Sequence, residues 1–170
     1  AERLTAAAAA DGLGGDVLGA VLAEHTSLRV GGPADAVVRV RTLADLKGWV
    51  SLARRLGLPV RVLGRGSNVL VSDAGFGGLV LVNRCEAWSP ASEDASSGTA
   101  LVDAESGGSL ASLARQLARG GWAGIEAAIG IPGSVGASVV TNAGAHGWSM
   151  ADSVESALVL QPDGTTRRMV

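Results

Sequence analysis

Aromatic, lysine and thiol side chains are scarce in this sequence of 170 residues. It contains no tyrosine, one phenylalanine, one cysteine and one lysine. So few aromatic residues exclude a stacking platform for single-stranded nucleic acid, and a net charge of −2 gives no basic field to attract that partner. A P-loop requires Gly-Lys followed by Ser or Thr. Because Lys47 is followed by Gly48, a P-loop NTPase is excluded.

The few cysteine and histidine residues set further limits. The single cysteine, Cys85, excludes an internal disulfide framework, fits a reducing compartment and is expected to be a small buried residue near a strand end. His25 and His146 have no further ligands at metal-binding spacing, so no metal site is predicted. His146 either contacts a ligand or lies in a solvated loop. No apolar run reaches the roughly 18 residues of a membrane span, and no signal peptide is evident, which predicts a cytoplasmic protein without a membrane partner.

The chain does contain short strands and helices typical of a globular protein. Hydrophobic residues make up 47% of it and charged residues 18%, with 25 glycines. Thr42 and Asp45 start an amphipathic helix that Gly57 ends, and Ser109 caps a second helix that ends at Gly120. Strands are expected at residues 36–41, 60–63, 69–71, 79–82, 100–103, 154–160 and 165–170.

Residues 86–100 differ from their surroundings in composition. They are polar, rich in Ser and Ala, and contain a proline. That composition predicts an exposed loop or a boundary between two lobes. We place the connecting loop at residues 88–100, between a first lobe at residues 1–87 and a second lobe at residues 101–170.

The segment from Gly124 to Gly147 combines apolar residues with many glycines. A helix interior would avoid so many glycines, since each costs roughly 1 kcal/mol relative to Ala. A loop would avoid so much Ile, Val and Ala, so the segment suits a backbone against which another group presses. Pro132 is expected in the first turn of a helix whose free amides attract an anion. The alternative is a buried helix of small residues packed against a sheet.

A second glycine-rich stretch, Gly64-Arg65-Gly66-Ser67-Asn68, lies upstream. A Rossmann fingerprint would need a third glycine and a following helix, but Val69 stands at that position and a strand is expected next. Two interpretations stay open. Consecutive amides, with the Ser67 hydroxyl and the Asn68 amide, could form a nest for a pyrophosphate, or the stretch could be a tight turn between strands. Two such stretches in one chain suggest a ligand lying between them.

Five motifs, taken in order, resemble the UDP-N-acetylenolpyruvoylglucosamine reductases, also called UDP-N-acetylmuramate dehydrogenases. They are TSLRVGGPA (26–34), LGRGSNVL (63–70), GIE (124–126), GIPGSVG (130–136) and NAGAHG (142–147). Each motif is weak alone. The ordered set is specific, and it covers nearly the whole chain beyond its N-terminal segment.

The resemblance implies an α+β, two-lobed FAD-binding fold of the vanillyl-alcohol-oxidase (PCMH) type, with the flavin between the lobes. It also implies that an enolpyruvyl ether of a UDP-sugar is reduced with NADPH in bacterial peptidoglycan synthesis. The residues it assigns to the cofactor are Gly64, Gly66, Ser67 and Asn68 at the FAD pyrophosphate with Arg65 in the same loop, Ile131, Pro132, Gly133, Ser134, Val135 and Gly136 along the flavin and its phosphates, and Asn142 and Gly144 nearby.

The chain departs from the family pattern at several positions. Arg65 stands where a small or acidic residue is usual, Ala137 replaces a common glycine, and His146 replaces a common aromatic residue. The family continues with a Tyr-Arg motif and a substrate domain that carries a serine or cysteine proton donor and a catalytic glutamate. None of these has a counterpart here, so no catalytic residue is assigned. We expect a flavin-binding portion, inactive by itself, whose UDP-sugar substrate binds to an absent C-terminal domain.

Two alternatives to that expectation stay open. One is the FAD domain of another oxidoreductase in the same superfamily. The other is a non-catalytic remnant that binds a nucleotide or a partner chain.

Overall fold

The computed structural model of the chain describes residues 2–161 and 163–170 and contains both helices and strands. Three short 3-10 turns lie at Leu22–His25, Glu126–Gly130 and Met150–Asp152. The helices and strands, in chain order, are α1 (Glu2–Ala10), β1 (Asp16–Val17), β2 (Ala34–Val40), α2 (Leu43–Arg55), β3 (Val60–Leu63), β4 (Phe76–Asn83), β5 (Trp88–Asp94), β6 (Thr99–Ala104), α3 (Leu110–Arg119), α4 (Val135–Thr141), β7 (Gly144–Ala145), β8 (Trp148–Ser149), β9 (Ala157–Leu160) and β10 (Thr166–Met169).

The first sheet has a parallel centre of three strands. Its order is β1-β2-β4-β3, in which β4 pairs in parallel with both β2 and β3, and β1 is an antiparallel edge. The strands expected at residues 36–41 and 60–63 and the helix expected between them are present as β2, β3 and α2, but β4 lies between β2 and β3 in the sheet. Val40, Leu63 and Asn83 therefore end at one edge of the sheet. In open parallel sheets, ligands bind outside the carboxyl ends of the strands.

Helix α2 forms as its sequence predicts. The Thr42 hydroxyl accepts a hydrogen bond from the Asp45 amide at 3.0 Å, which satisfies one of the first-turn donors. After the C-cap at Leu56, Gly57 adopts φ +67°, the left-handed conformation that ends many helices. Helix α3 begins in the same way, with the Ser109 hydroxyl accepting from the Ser112 amide.

Both faces of the first sheet are buried. Helices α1 and α2 cover one face, where the buried residues include Ala36, Val38, Val40, Leu79 and Leu81 of the sheet and Leu4, Trp49, Leu52 and Ala53 of the helices. The opposite face buries Val37, Leu63, Val80 and Val82 against Leu22, with partly buried Val69, Val71 and Phe76. Burial on both sides explains why β4 is almost continuously apolar rather than alternating.

A separate hydrophobic cluster lies in the second half of the chain. It is built by α3, α4, the turn at Glu126–Gly130 and the small β7–β8 hairpin. Its buried members are Leu110, Ala114, Ala128, Ile131 and Met150. The β9–β10 hairpin is more exposed, and the Arg54 guanidinium of α2 donates a hydrogen bond to the Asp163 carbonyl in it. The lobe limits at residues 1–87 and 101–170 stay a prediction.

Two segments differ from the sequence-based expectation. Residues 69–71 were expected as a strand but have no strand partner. Val69 and Val71 instead cover the second face of the sheet, while Leu70 is 79% exposed. Residues 88–100 were expected as a loop but form most of the β5–β6 hairpin. Both strands of that hairpin are largely exposed. Because β5 has no buried face, its sequence shows no alternation of apolar and polar residues from which a strand could be recognised.

None of the helices in residues 2–161 and 163–170 combines the length and the apolar character needed to cross a membrane.

Candidate functional site

The first glycine loop, residues 64–68, follows β3 directly at the carboxyl edge of the parallel strands. Gly66 is buried and adopts φ +67°. A Cβ atom at Gly66 would lie 2.2 Å from the His25 carbonyl oxygen, so the loop backbone is pressed against residues 25–26. The Ser27 amide donates to the Gly66 carbonyl at 2.9 Å and fixes this contact. A glycine is therefore required at position 66 by the chain's own packing.

The amides of the first glycine loop are left without partners. Among the described residues, the structure records no hydrogen bond donated by the backbone N–H of residue 65, 66, 67 or 68. Successive unpartnered amides in a turn form a concave, partially positive surface that binds anions. Unpaired backbone donors in a folded protein are rare unless water or a ligand accepts from them. This observation favours the nest over the plain turn, the two interpretations left open by the sequence.

The second glycine segment, residues 130–136, has a different backbone arrangement from the expected one. Helix α4 begins at Val135 after an N-cap at Ser134, so Pro132 lies before the helix rather than in its first turn. The Val135 amide donates to the Gly108 carbonyl at 2.8 Å, and the Gly136 amide donates to the Ser106 carbonyl at 2.9 Å. The expectation of free first-turn amides is wrong for these two groups, because the chain itself supplies their acceptors.

The two glycine stretches contact each other. A Cβ at Gly64 would lie 2.4 Å from the Ser134 hydroxyl oxygen, and a Cβ at Gly133 would lie 3.4 Å from the Ser67 hydroxyl oxygen. The Ser67 hydroxyl donates to the Pro132 carbonyl at 3.3 Å. The fold thus brings together two sets of residues that are more than 60 positions apart, as the proposal of a shared ligand requires.

Two buried serine hydroxyls lie at this junction. Ser134 is 1% exposed and Ser138 is 3% exposed, and within residues 2–161 and 163–170 the structure records no hydrogen bond for either hydroxyl. A Cβ at Gly133 would lie 3.5 Å from the Ser138 hydroxyl oxygen. No side-chain nitrogen or oxygen atom of the described residues is both fully buried and without a hydrogen-bond partner, so each of these two hydroxyl oxygens keeps some contact with solvent. Hydroxyls left in this state beside open amides are available to a polar ligand.

Charged residues surround the base of the first glycine loop. The exposed Arg65 side chain forms an ion pair with Glu86 at 2.9 Å. Arg84, directly after β4, is half-buried and donates from Nη1 to the Gly64 and Asn83 carbonyls, both at 2.8 Å. Burial lowers the pKa of Arg84, and the nearby Arg65 charge adds to this effect. The guanidinium nevertheless stays cationic, because arginine is effectively always protonated in proteins.

Asn83 connects the first sheet to the second glycine segment. Its side chain is 5% exposed and donates to the Ser106 hydroxyl at 2.8 Å, while its Oδ1 accepts from the Cys85 amide at 3.0 Å. The Ser106 carbonyl in turn accepts from Gly136. Asn83 and Arg84 were missed by the sequence analysis. The available signal was a pair of polar residues ending a buried parallel strand.

The residues assigned to the end of the site form the turn after α4. Asn142 ends the helix in the left-handed conformation at φ 47°, and its Oδ1 accepts from the Ala151 amide at 2.9 Å. Gly144 packs against the β8 backbone, where its Cβ would lie 2.4 Å from the Trp148 carbonyl. His146 is exposed in the turn between β7 and β8. Asn68, in the first glycine loop, is also exposed.

A small cleft adjoins the first glycine loop. It has a volume of about 120 Å³ and lies between α3 and the base of the β5–β6 hairpin. Arg65 and Val135 line it together with Trp88, whose indole donates to the Gln116 side chain at 3.2 Å. It is too small for a dinucleotide, so it is at most an extension of the junction between the two glycine stretches.

Cys85 is fully buried, as its sequence environment predicts. Burial, with smaller contributions from Glu105 and Asp45, raises the pKa of its thiol to about 11. A thiol that is buried and protonated at neutral pH is a structural residue rather than a nucleophile. Within residues 2–161 and 163–170, the structure contains no cluster of three or more His, Cys, Asp or Glu side chains that could bind a metal ion.

Comparison with known proteins identifies relatives for most of the chain. A family model described as FAD binding domain matches residues 34–169. The UDP-N-acetylenolpyruvoylglucosamine reductase of Gloeobacter violaceus is 44% identical over 154 residues, which are 89% of this chain and 49% of that protein. The enzyme of the same name from Nostoc punctiforme is 47% identical over 146 residues, 86% of this chain and 43% of that protein. The resemblance expected from the motifs is confirmed.

Solved structures confirm the fold. The crystal structure of UDP-N-acetylenolpyruvylglucosamine reductase from Thermus caldophilus aligns with a TM-score of 0.70 at 32% identity, over 92% of this chain and 53% of that one. A carbohydrate oxidase from Microdochium nivale aligns with a TM-score of 0.65 over 97% of this chain and 36% of that one. Its identity of 20% shows a shared fold alone. The α+β, FAD-binding fold of the vanillyl-alcohol-oxidase type is therefore confirmed, and the chain spans about half the length of the curated relatives it matches.

Proposed function

Because this chain belongs to the family of FAD-binding domains, we propose that it is the flavin-binding part of an NADPH-dependent reductase that converts UDP-N-acetylenolpyruvoylglucosamine to UDP-N-acetylmuramate. The observation that carries the proposal is the set of amides at residues 65–68 without recorded acceptors, in a loop that contacts the second glycine stretch. Peptide amides and hydroxyls are the donors that a diphosphate needs. These residues therefore fit FAD.

The first glycine loop is proposed to bind the diphosphate. Its amides have no recorded acceptors, and Ser67 adds a hydroxyl beside them. Gly64, Gly66 and Asn68 belong to the same contact surface. Arg65 extends from the loop towards Glu86, and so contributes less charge to the diphosphate than an unpaired arginine would.

The second glycine segment is proposed to form the opposite wall. Ile131 and Gly133 are buried, Val135 and Gly136 are half-buried, and Pro132 is exposed. The Ser134 hydroxyl lies where the two stretches meet. Asn142 and Gly144 fix the turn at the end of this wall. The Asn142 side chain accepts from the Ala151 amide, and Gly144 packs against the β8 backbone. The chain's residues thus bind, orient and shield; FAD, when bound, would supply the redox chemistry between NADPH and the enolpyruvyl group.

The remaining parts of the proposal concern the complete enzyme. The UDP-sugar would bind to a part of the protein beyond these 170 residues, which would also supply the proton donor. The reaction would serve peptidoglycan synthesis, and with it cell-wall growth and division, in the cytoplasm. The name shared by the relatives that match most of this chain, UDP-N-acetylenolpyruvoylglucosamine reductase, supports the proposed substrate and reaction.

A titration of the purified chain with FAD tests the proposal. We expect that binding quenches the flavin fluorescence, gives the visible absorption spectrum of bound flavin and saturates at one FAD per chain. ADP should compete with FAD, because it carries the same diphosphate. A chain that is folded by circular dichroism but takes up neither FAD nor ADP would exclude the flavoenzyme readings and the nucleotide-binding remnant together. Uptake of FAD without reduction by NADPH is expected for these residues alone.

A further inference from the structure

Arg84 makes a contact that couples two strand ends to the first glycine loop. Its Nη1 donates to the carbonyl of Gly64, the first residue after β3, and to the carbonyl of Asn83, the last residue of β4, at 2.8 Å each. The Arg84 amide also donates to the Val40 carbonyl at the end of β2, at 2.8 Å. One residue thus connects the carboxyl ends of all three parallel strands. Among the described residues, no carboxylate lies within ion-pair distance of it.

The Gly64 carbonyl shares a peptide plane with the Arg65 amide. In a trans peptide the C=O and the following N–H point in opposite directions, and the described chain contains no cis peptide bond. A guanidinium that holds the Gly64 oxygen therefore fixes the direction of the Arg65 N–H, which points away from Arg84. The Arg65 N–H is the first of the open amides of the loop.

A second carbonyl of the loop is held in the same manner. The Ser27 amide donates to the Gly66 carbonyl at 2.9 Å, which fixes the peptide plane that carries the Ser67 N–H. Two alternate peptide planes of the loop are thus fixed by hydrogen bonds to their carbonyl oxygens. The N–H groups on the opposite side of the same planes have no recorded acceptor. An anion-binding nest needs this arrangement, because each donor must be aimed before the ligand arrives.

We propose that Arg84 is a positioning residue for diphosphate binding: by holding the Gly64 carbonyl it aims the amides of the first glycine loop, without itself contacting the flavin ring. This inference rests on the proposed function, since it assumes that the loop binds the diphosphate of FAD. It adds a residue that the family resemblance did not assign. It also predicts that Arg84 matters for ligands with phosphates and not for the flavin ring alone.

The test compares Arg84→Met with Arg61→Met in the full chain. Arg61 is a matched control: it is exposed in β3, and its guanidinium donates to the neighbouring Val60 carbonyl and lies 5.5 Å from the Phe76 ring centroid. Dissociation constants for FAD, ADP and riboflavin are measured by fluorescence and calorimetry, with Tm from circular dichroism. Loss of a charge-assisted hydrogen bond predicts about 10-fold weaker binding of FAD and ADP by Arg84→Met, with riboflavin binding unchanged.

Arg84→Lys and Arg84→Gln complete the series. Lysine keeps the charge and a donor, so it should recover most of the ADP affinity and the visible spectrum of bound FAD. If Arg84→Met does not fold, Arg84→Gln takes its place, with an expected loss of about 5-fold for ADP. ADP affinity equal to that of the Arg61 control in any folded neutral variant would overturn the proposal, as would an equal loss for riboflavin and ADP. Failure of the unmutated chain to bind ADP would instead reject the proposed function.

Discussion

The two glycine-rich stretches have similar compositions but use their glycines for different purposes. In the first glycine loop, carbonyls are held by Arg84 and Ser27 while the amides of residues 65–68 stay open. In the second glycine segment, the amides of Val135 and Gly136 donate to the chain itself, and serine hydroxyls are the groups left free. A run of glycines can therefore leave backbone donors free for a ligand, or it can let the chain pack closely against itself. Hydrogen-bond partners distinguish the two cases.

The largest effect is expected from Gly66→Val. The new side chain would overlap the His25 carbonyl, since even a Cβ would lie 2.2 Å from it, and φ +67° adds about 1–2 kcal/mol of strain. FAD affinity should fall by more than about 100-fold, because the first glycine loop must move away from residues 25–26. Gly57→Val is the matched control: it has the same φ of +67° and nothing within 4 Å of its Cβ. Equal losses in the two variants would show that strain alone, not the contact with His25, is responsible.

A smaller effect is expected where the two stretches touch. Gly64→Ala places a methyl group 2.4 Å from the Ser134 hydroxyl oxygen, so the hydroxyl must rotate or the stretches must separate. We expect about 5- to 10-fold weaker FAD binding, of which Ser134→Gly in the double mutant recovers part. A double-mutant cycle on the dissociation constants measures the coupling. Strictly additive losses would contradict direct contact between the two stretches.

The smallest effect is expected from Ser138→Ala. The free protein should keep its Tm, because the hydroxyl that is removed has no recorded partner and is not fully buried. FAD binding should weaken by about 3-fold if that hydroxyl donates to the cofactor. Ser156→Ala is the control, since the Ser156 hydroxyl already accepts from Arg168 at 2.7 Å. Unchanged affinity in Ser138→Ala would limit Ser138 to a packing role in α4.

Much of the fold could be predicted from local sequence signals. The cap at Thr42, the stop at Gly57 and the cap at Ser109 each act within a few residues, and all three are confirmed. Residues 69–71 were misread because Val69 and Val71 alternate like a strand but cover a sheet face without joining it. Local alternation reports which side chains are buried and gives no information on a hydrogen-bonding partner.

Strand β5 was missed for the opposite reason, whereas β6 was expected at residues 100–103 and is present. The exposed side chains of β5 give it no apolar face, so only the turn after it carried a signal. In that turn Asp94 accepts hydrogen bonds from Ser96 and Ser97, which lower its pKa to about 2. An Asp followed two and three residues later by Ser is typical of such turns.

The candidate site could be predicted only in part. The motifs located both glycine stretches, and the fold brings them into contact. Which donors are free depends on Gly108, Ser106 and Arg84, whose contacts with the site cross 20 or more residues of sequence. Such contacts follow from the sheet order and not from local patterns, which is why the expected free amides at the start of α4 proved wrong.

The position of β4 between β2 and β3 has a consequence for how this domain folds while it is synthesised. As the chain emerges from the ribosome, β2 and β3 appear before β4 and have no contact with each other in the sheet. Until residues 76–83 follow, β2 can pair only with the short β1, and β3 has no strand to pair with. Parallel pairing across such sequence separation is slow, and the uncovered strands are prone to aggregation meanwhile. The first glycine loop, between β3 and β4, therefore acquires its shape in the same event that completes the sheet.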